Sequence, residues 1–324
     1  GVLLWAETQT WLVILILALS VMVFFTSEGL NSVSWPALVG KVVPDSFRGR
    51  FFGLGQFLSS AGAAAAGYFV NRVLALGSVA RADRWALLFV CGFVGLMLSV
   101  GSMLFIRERS APRKSDKADV RRSLAKVWRY LKEDSWLRRM IVAQLVLATA
   151  SATFVFFVVR ARQIVPGAAE MIGTFVTLQS VGSATAALAG GFLVDKVGSW
   201  AAIRAAAFVE ILALAAATLA GLGTFPLLLY LVALFLMGYV NGASWWSFST
   251  FLLDLASEDR RPTYLATSGI LASVTVLNPV IVGVLFETLL PELVFGIAAL
   301  LALIGLALTW TLRQAVATHA TPAP

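Results

Sequence analysis

Residues 31–35 read NSVSW and residues 241–245 read NGASW, at the same place in two similar apolar segments. Each segment continues with apolar residues and ends at a turn that carries arginine. The first turn reads VPDSFRGRFFG (43–53) and the second reads SEDRRPTYLA (257–266). A polar pair that recurs in the same context predicts a fold built from two related halves.

The composition is that of an all-α integral membrane protein. Hydrophobic residues make up 59% of the chain and charged residues 13%, whereas soluble domains carry about 25% charged residues. A run of roughly 20 apolar residues can span a bilayer as a helix. We expect nine such spans, at about 11–39, 51–76, 85–106, 140–160, 171–194, 201–221, 225–253, 264–288 and 293–312.

Cysteine and histidine are too scarce for a metal site or for most catalytic chemistry. The lone cysteine, Cys91, lies in the third span, and the lone histidine, His319, lies in the C-terminal tail. Disulfides and cysteine-ligated metals are therefore excluded, and no imidazole is available inside the membrane. We expect no metal, no cofactor and no enzymatic activity. The chain also lacks the GxxxxGK[ST] motif that would bind ATP.

Positive charge is concentrated in one loop. Residues 107–139 hold 12 Lys or Arg and 5 Asp or Glu. A nucleic-acid site would explain such a block, but the positive-inside rule explains it more simply, because loops on alternate sides carry 20 and 5 basic residues. This asymmetry predicts a topology with the N-terminal end outside and the C-terminus in the cytoplasm. We expect a protein of the bacterial inner membrane without a nucleic-acid partner.

Within that loop, residues 118–134 (ADVRRSLAKVWRYLKED) predict an amphipathic helix. Apolar residues recur at helical spacing and basic residues occupy the other face. We expect the helix to lie on the cytoplasmic membrane surface; a partner-binding helix is the alternative.

The chain divides into four segments. Residues 1–106 hold three spans, 107–139 the basic loop, 140–313 six spans, and 314–324 a tail that we expect to be disordered. Matching NSVSW to NGASW makes the first span the fourth helix of a six-helix unit. We therefore expect three further helices upstream of Gly1, so that the chain holds helices four to twelve of a 6+6 fold.

The loop GGFLVDKVG (190–198) resembles the signature G-x-x-x-D-R/K-x-G-R-R/K of the major facilitator superfamily. The matching residues are Gly191, Asp195, Lys196 and Gly198, while the trailing basic pair is absent. The segment at 43–53 also resembles the junction between the fourth and fifth helices of that family. The resemblance covers essentially the whole chain and implies the two-bundle fold of these transporters.

A latch between helix ends is the physical role we expect for this loop. Asp195 can accept hydrogen bonds from the amides at a neighbouring helix N-terminus, favoured by the helix dipole. The sequence suggests the start of the eighth span, with Arg260 or Arg261 as the ion-pair partner. Ordinary solvated loop charges are the alternative.

Polar side chains inside the spans predict the solute cavity, because such residues are costly in a bilayer. The resemblance implies that the first and seventh spans line it. The candidates are Glu28, Asn31, Trp35, Gln144, Gln179, Asn241, Trp245 and Asn278. Hydrogen bonding between helices and simple packing are the alternative roles of the Asn and Trp residues.

Glu28 is the candidate for proton coupling, because protonation would remove a charge from the membrane interior. The alternative is that Glu28 pairs structurally with a residue on one of the expected upstream helices. Glu210 also lies in mid-membrane, but its span resembles a peripheral helix, so a cavity role is less expected.

The resemblance implies a monomeric secondary active transporter of a small solute that works by alternating access in a lipid bilayer. We expect proton coupling. A transport-inactive receptor or assembly factor on the same fold stays open, as does a drug efflux antiporter. No proline lies between Phe51 and Leu76, which disfavours the antiporter. A membrane enzyme or lipid scramblase is disfavoured, because no His/Asp or His/Glu pair is present.

Overall fold

The computed structural model describes residues 10–44, 47–74, 81–105, 120–168, 171–223, 225–257, 260–310 and 312. Within these ranges every regular element is a helix. The helices are α1 (Thr10–Val42), α2 (Arg48–Leu74), α3 (Arg81–Met103), α4 (Val120–Glu133), α5 (Ser135–Ser151), α6 (Val155–Ile164), α7 (Ile172–Val197), α8 (Ser199–Gly221), α9 (Pro226–Leu255), α10 (Arg261–Ala272), α11 (Asn278–Thr288) and α12 (Pro291–Thr309).

The predicted all-α membrane fold is confirmed. Among the described residues, seven helical segments are long and apolar enough to cross a bilayer. In α1 the apolar stretch is shorter, at Ile14–Phe24, and α2 has many Ala, Gly and Ser residues. All nine predicted spans nevertheless coincide with helices.

Two spans are each built from two helices joined by a short 3-10 segment. The fourth span runs through α5, the segment Ala152–Phe154 and α6. The eighth runs through α10, the segment Ser273–Leu277 and α11. Pro279 lies in the first turn of α11, where proline's missing N–H costs no helical hydrogen bond.

Helix α4 confirms the helix predicted in the basic loop. Asp134 then caps α5 by accepting hydrogen bonds from the amides of Trp136 (2.8 Å) and Leu137 (3.1 Å). Tyr264 at the start of the eighth span donates its hydroxyl proton to Asp134 (2.7 Å), and its ring lies 5.6 Å from that of Tyr130. The loop helix is thus fixed to the second bundle at its C-terminal end.

The larger core belongs to the second bundle, formed by the helices from α5 to α12. Large side chains such as Phe157, Leu214 and Phe295 are fully buried there. Helix α8 contributes alanines, among them Ala207 and Ala217, which let neighbouring helices approach closely.

The predicted loop at 190–198 is largely helical in the structure, because α7 continues to Val197 and only Gly198 separates it from α8. Gly198 lies between the two helices with φ of 116°. Side-chain-bearing residues rarely adopt this conformation, which accounts for glycine here. Ser199 begins α8 and donates a hydrogen bond to Asp254 near the end of α9 (2.7 Å). We call this end of the molecule, where α2, α8 and α10 begin and α1, α7 and α9 end, the basic end.

The predicted boundaries at 106/107, 139/140 and 313/314 are not tested by the fold. The start of the basic loop and the tail, including His319, lie outside the described residues.

Candidate functional site

A cavity of about 370 Å³ lies in the second bundle beside both interrupted spans. The fourth span lines it with residues before and within its 3-10 segment, and the eighth span lines it with Thr275 and Pro279. Helix α9 supplies the third wall. The lining residues are Gln144, Leu147, Ala148, Ser151, Ala152, Asn241, Ser244, Phe248, Thr275 and Pro279. None of these ten side chains is charged.

Two of the predicted cavity residues, Gln144 and Asn241, belong to this lining. Gln144 is held in place, because its Oε1 accepts a hydrogen bond from Ser268 in α10 (2.7 Å). Its amide nitrogen is left to donate elsewhere. Asn241 is exposed, and no other described residue is hydrogen-bonded to its amide. The cavity therefore offers amide groups suited to a neutral, polar ligand.

Ser151 joins this cavity to a buried carboxyl group. Its hydroxyl donates a hydrogen bond to Oε1 of Glu210 in α8, at 2.7 Å. Glu210 is 2% exposed, so it lies behind the cavity wall. The 3-10 segment Ala152–Phe154 begins directly after Ser151.

A second cavity, of about 390 Å³, lies where the first bundle, formed by the helices α1 to α3, meets the second. Predicted residue Trp35 lines it, and its ring lies 6.3 Å from that of Phe51. The second bundle contributes Trp246, which is 1% exposed and donates its indole N–H to the carbonyl of Gly242 (2.6 Å). Gln56 of α2 also lines this cavity.

The remaining predicted cavity residues lie elsewhere or are not described. Asn278 lines a small apolar cavity and donates to Thr149 (3.0 Å), which ties α11 to α5. Gln179 is half-buried in α7, and Asn31 is exposed on α1. The side chains of Glu28 and Trp245 lie outside the described part of the chain.

The two bundles meet through α2 and α7. A side chain at Gly53 would collide with the carbonyl oxygen of Ala187, so only glycine permits this approach. Further along, the hydroxyl of Ser183 makes hydrogen bonds with Gln56 (3.1 Å) and Ser60 (2.8 Å). Small residues and shared polar groups are the usual means by which helices associate in membranes.

At the basic end the structure places a different arginine beside Asp195 than the sequence predicts. Asp195 lies 2.7 Å from Nε of Arg50, and its side chain is 3% exposed. A Cβ at Gly49 would collide with Asp195, so the carboxylate sits at the N-terminus of α2. The carboxylate lies at a helix N-terminus as expected, but the helix is α2 and not the start of the eighth span. The expected hydrogen bonds from backbone amides to Asp195 are not formed within the described part of the chain.

The predicted partners Arg260 and Arg261 make other contacts. The guanidinium of Arg260 lies 5.6 Å from the ring of Tyr130. Arg261 donates to the carbonyl oxygens of Leu253 (3.2 Å) and Gly40 (3.4 Å). Because Gly40 lies near the end of α1, Arg261 forms a second contact between the bundles at the basic end.

Two other signature residues, Gly191 and Lys196, lie at or near this junction. Gly191 faces Gly49 across it, where a Cβ would meet the carbonyl oxygen of Gly49 at 3.0 Å. Lys196 is exposed beside Asp195 near the end of α7.

Sequence reasoning missed Arg50, Trp246 and the link from Ser151 to Glu210. The spacing of Gly49 and Gly53, which precede and follow Arg50, was a usable signal, because small residues spaced by four mark a close helix contact. The sequence analysis named Trp245 and not its neighbour Trp246. Consecutive positions on a helix are about 100° apart, so the residue that lines a cavity depends on how the helix packs.

Comparison with known proteins gives a family. The chain matches the family model of the Major Facilitator Superfamily over residues 1–275. No curated protein sequence matches it. Among solved structures, 27 chains match. One is the crystal structure of a variant of the E. coli fucose:proton symporter, FucP. It is 16% identical, has a TM-score of 0.60, and the match covers 88% of this chain and 72% of that one.

This likeness to the symporter shows the fold alone, because the sequence identity is low. The family match covers most of the chain. The chain belongs to the major facilitator superfamily, and it is an integral membrane protein of a transporter fold.

The pair of Asp195 and Arg50 predicts a measurable latch at the basic end. In a Cys91→Ala background, Val194→Cys places a thiol at the α2–α7 contact. Adding Asp195→Asn removes an ion pair in which Arg50 is half exposed, worth about 0.6–1 kcal/mol. When the contact opens and closes faster than the reagent reacts, the labelling rate follows the population of the open state. We expect a maleimide to label that thiol about threefold to fivefold faster.

Exchanging the charges (Arg50→Asp with Asp195→Arg) should return labelling toward the starting level. Ala217→Cys, fully buried inside the second bundle, is the matched control and should stay unreactive. Equal labelling with and without the Asp195 carboxylate would contradict the latch.

Proposed function

We propose that this member of the major facilitator superfamily is a secondary active transporter that moves a small neutral solute by alternating access. The cavity beside the two interrupted spans is the single observation that carries the proposal. It joins the amides of Gln144 and Asn241 with the hydroxyls of Ser244 and Thr275. Concave sites with a few convergent polar groups are the usual places where small molecules bind.

The chemistry of the cavity favours a hydroxyl-rich solute such as a sugar or polyol. Amide groups both donate and accept hydrogen bonds, as a solute hydroxyl does. Phe248 adds an apolar surface against which the carbon face of such a solute can pack. A solute with a net charge would find no counter-charge among the ten lining residues.

Alternating access requires that the two bundles separate at one end while they approach at the other. The basic end supplies contacts that can break: the ion pair of Asp195 with Arg50 and the hydrogen bonds of Arg261. The interruptions in the fourth and eighth spans supply places where a helix can bend beside the solute, as 3-10 segments within helices often do.

We further propose that the basic end faces the cytoplasm of a bacterium and that the chain works as a monomer in the inner membrane. The distribution of Lys and Arg between the two sides, 20 against 5, supports this orientation. On that topology the latch is a cytoplasmic one. Trp128 of α4 is 63% exposed, as suits a helix that rests on the cytoplasmic lipid headgroups.

Proton coupling through Glu28 completes the proposal. The residue lies on α1, one helical turn before Asn31, and an ionisable residue at such depth is expensive unless it has a function. Protonation at Glu28 would change the charge of the first bundle and hence the preference between the two states.

Counterflow in proteoliposomes tests the choice of solute. We expect exchange of radiolabelled sugars or polyols, and about tenfold weaker apparent affinity in Asn241→Ala, because one or two hydrogen bonds are lost. Gln163→Ala, an exposed amide outside the cavity, is the matched control and should leave exchange unchanged. Exchange of cationic amphiphiles only would favour the drug antiporter, and exchange of nothing would favour the transport-inactive receptor.

The coupling role of Glu28 has its own test. With the solute found by counterflow, an inward proton gradient should drive accumulation in the parent protein. In Glu28→Gln we expect exchange to persist while gradient-driven accumulation is lost, because the side chain no longer takes up a proton. Accumulation with the same pH dependence in the variant would sink the coupling role.

A further inference from the structure

The second bundle contains a buried carboxyl group that the proposed function has not used. Glu210 lies near the middle of α8 (Ser199–Gly221) and is 2% exposed. An acidic residue at such depth is costly and marks a functional site by default.

Glu210 has one hydrogen-bond partner among the described residues, the hydroxyl of Ser151 at 2.7 Å. The nearest charged residue on its own helix is Arg204, six residues away, or about 9 Å along the axis. The guanidinium of Arg204 is engaged with the carbonyl oxygens of Thr309 and Trp310 and lies 4.5 Å from the centre of the Trp200 ring. It is thus directed to the end of α12.

The helices packed against α8 bring no charge close to Glu210. On α12 and α6 the charged groups are Glu292, Arg160 and Arg162. Glu292 and Arg160 pair with each other at 2.5 Å beside Gly221, eleven residues from Glu210, and Arg162 is exposed near the end of α6. The charged groups of α5, α7 and α9 lie near the basic end, and α9 also carries the phenols of Tyr230 and Tyr239. These groups on α5, α7 and α9 are Arg138, Arg139, Asp195, Lys196 and Asp254.

Ser151 stands between this carboxyl group and the solute cavity. Its side chain lines the cavity together with Gln144 and Asn241 and at the same time donates to Glu210. It is also the last residue of α5, directly before the 3-10 segment. A change at Glu210 therefore reaches the cavity and the helix interruption through one hydrogen bond.

We propose that Glu210 is a proton-binding site and that Ser151 converts its proton occupancy into the hydrogen-bonding character of the cavity wall. The inference rests on the proposed function, since it describes a control of the same cavity. It concerns a group in the second bundle, separate from Glu28 in the first.

The switch follows from which groups can donate. An ionised carboxylate only accepts hydrogen bonds, so Ser151 must turn its proton toward Glu210 and shows the cavity only lone pairs. When a hydronium ion transfers its proton to Glu210, a water molecule is released and the neutral acid can donate to the Ser151 oxygen. The hydroxyl proton of Ser151 is then free to point into the cavity. Uptake of one proton thus turns an acceptor in the cavity wall into a donor.

A purely structural link between α8 and the fourth span predicts something different. In that case Glu210→Gln would preserve the contact, because an amide also accepts and donates, and no property of the cavity would depend on Glu210 titrating. A readout of the proton itself is needed to separate the two roles.

Infrared difference spectroscopy of the full chain in lipid nanodiscs provides that readout without any solute. Several carboxyl groups become protonated between high and low pH, and among their carbonyl stretches we expect one band that is lost in Glu210→Gln. The same band should persist in Glu28→Gln and should shift in frequency in Ser151→Ala, where the hydrogen bond is missing.

A difference spectrum in which Glu210→Gln loses no carboxylic acid band would overturn the proposal. If Glu210→Gln does not fold, Ser151→Ala decides, since an unshifted band there contradicts the link. Because the measurement needs no transport, its outcome is independent of the counterflow result. Loss of the band in Glu28→Gln alone would assign the proton to the first bundle and also overturn the proposal.

Discussion

The contact between α2 and α7 is the constraint on which the rest of the architecture depends. Glycine at position 53 lets the helix backbones touch, and this closeness brings Asp195 to the N-terminus of α2, where Arg50 neutralises it. A carboxylate almost excluded from water needs such a partner. Because the side chain of Arg50 is half exposed, the ion pair contributes only modestly to the stability of the junction, so the junction can break.

The polar groups of the second bundle form a chain from a buried acid to an open cavity. Ser151 donates a hydrogen bond to Glu210 and lines the cavity, and Gln144, in the same lining, accepts a hydrogen bond from Ser268. A hydrogen bond to a buried carboxyl group is strongly coupled to its charge, so a change at Glu210 alters the hydrogen bonding of Ser151 in the cavity wall. The interruption of the fourth span after Ser151 places this chain beside a point where the helix can bend.

Hydropathy and spacing were sufficient to predict the nine helical spans, the loop helix and a chain reversal that ends at Gly198, because these depend on local sequence. The partner of Asp195 was not predictable in this way, since α2 and α7 are far apart in the chain and only packing brings them together. The bond between Ser151 and Glu210 likewise joins two spans. Trp246 lines a cavity between the bundles, and the average hydropathy of a span does not show which way a single side chain points.

The central claim is that the two bundles meet at the basic end in one state and part there in another. Spin-label distances measure this directly, with one pair at Val42 and Val197 for the basic end and another at Phe69 and Leu222 for the opposite end, all of them exposed. Removing the Asp195 carboxylate should lengthen the first distance and shorten the second. The account would be contradicted if the distance between Val42 and Val197 stayed the same when the carboxylate is removed. It would also be contradicted if both distances lengthened.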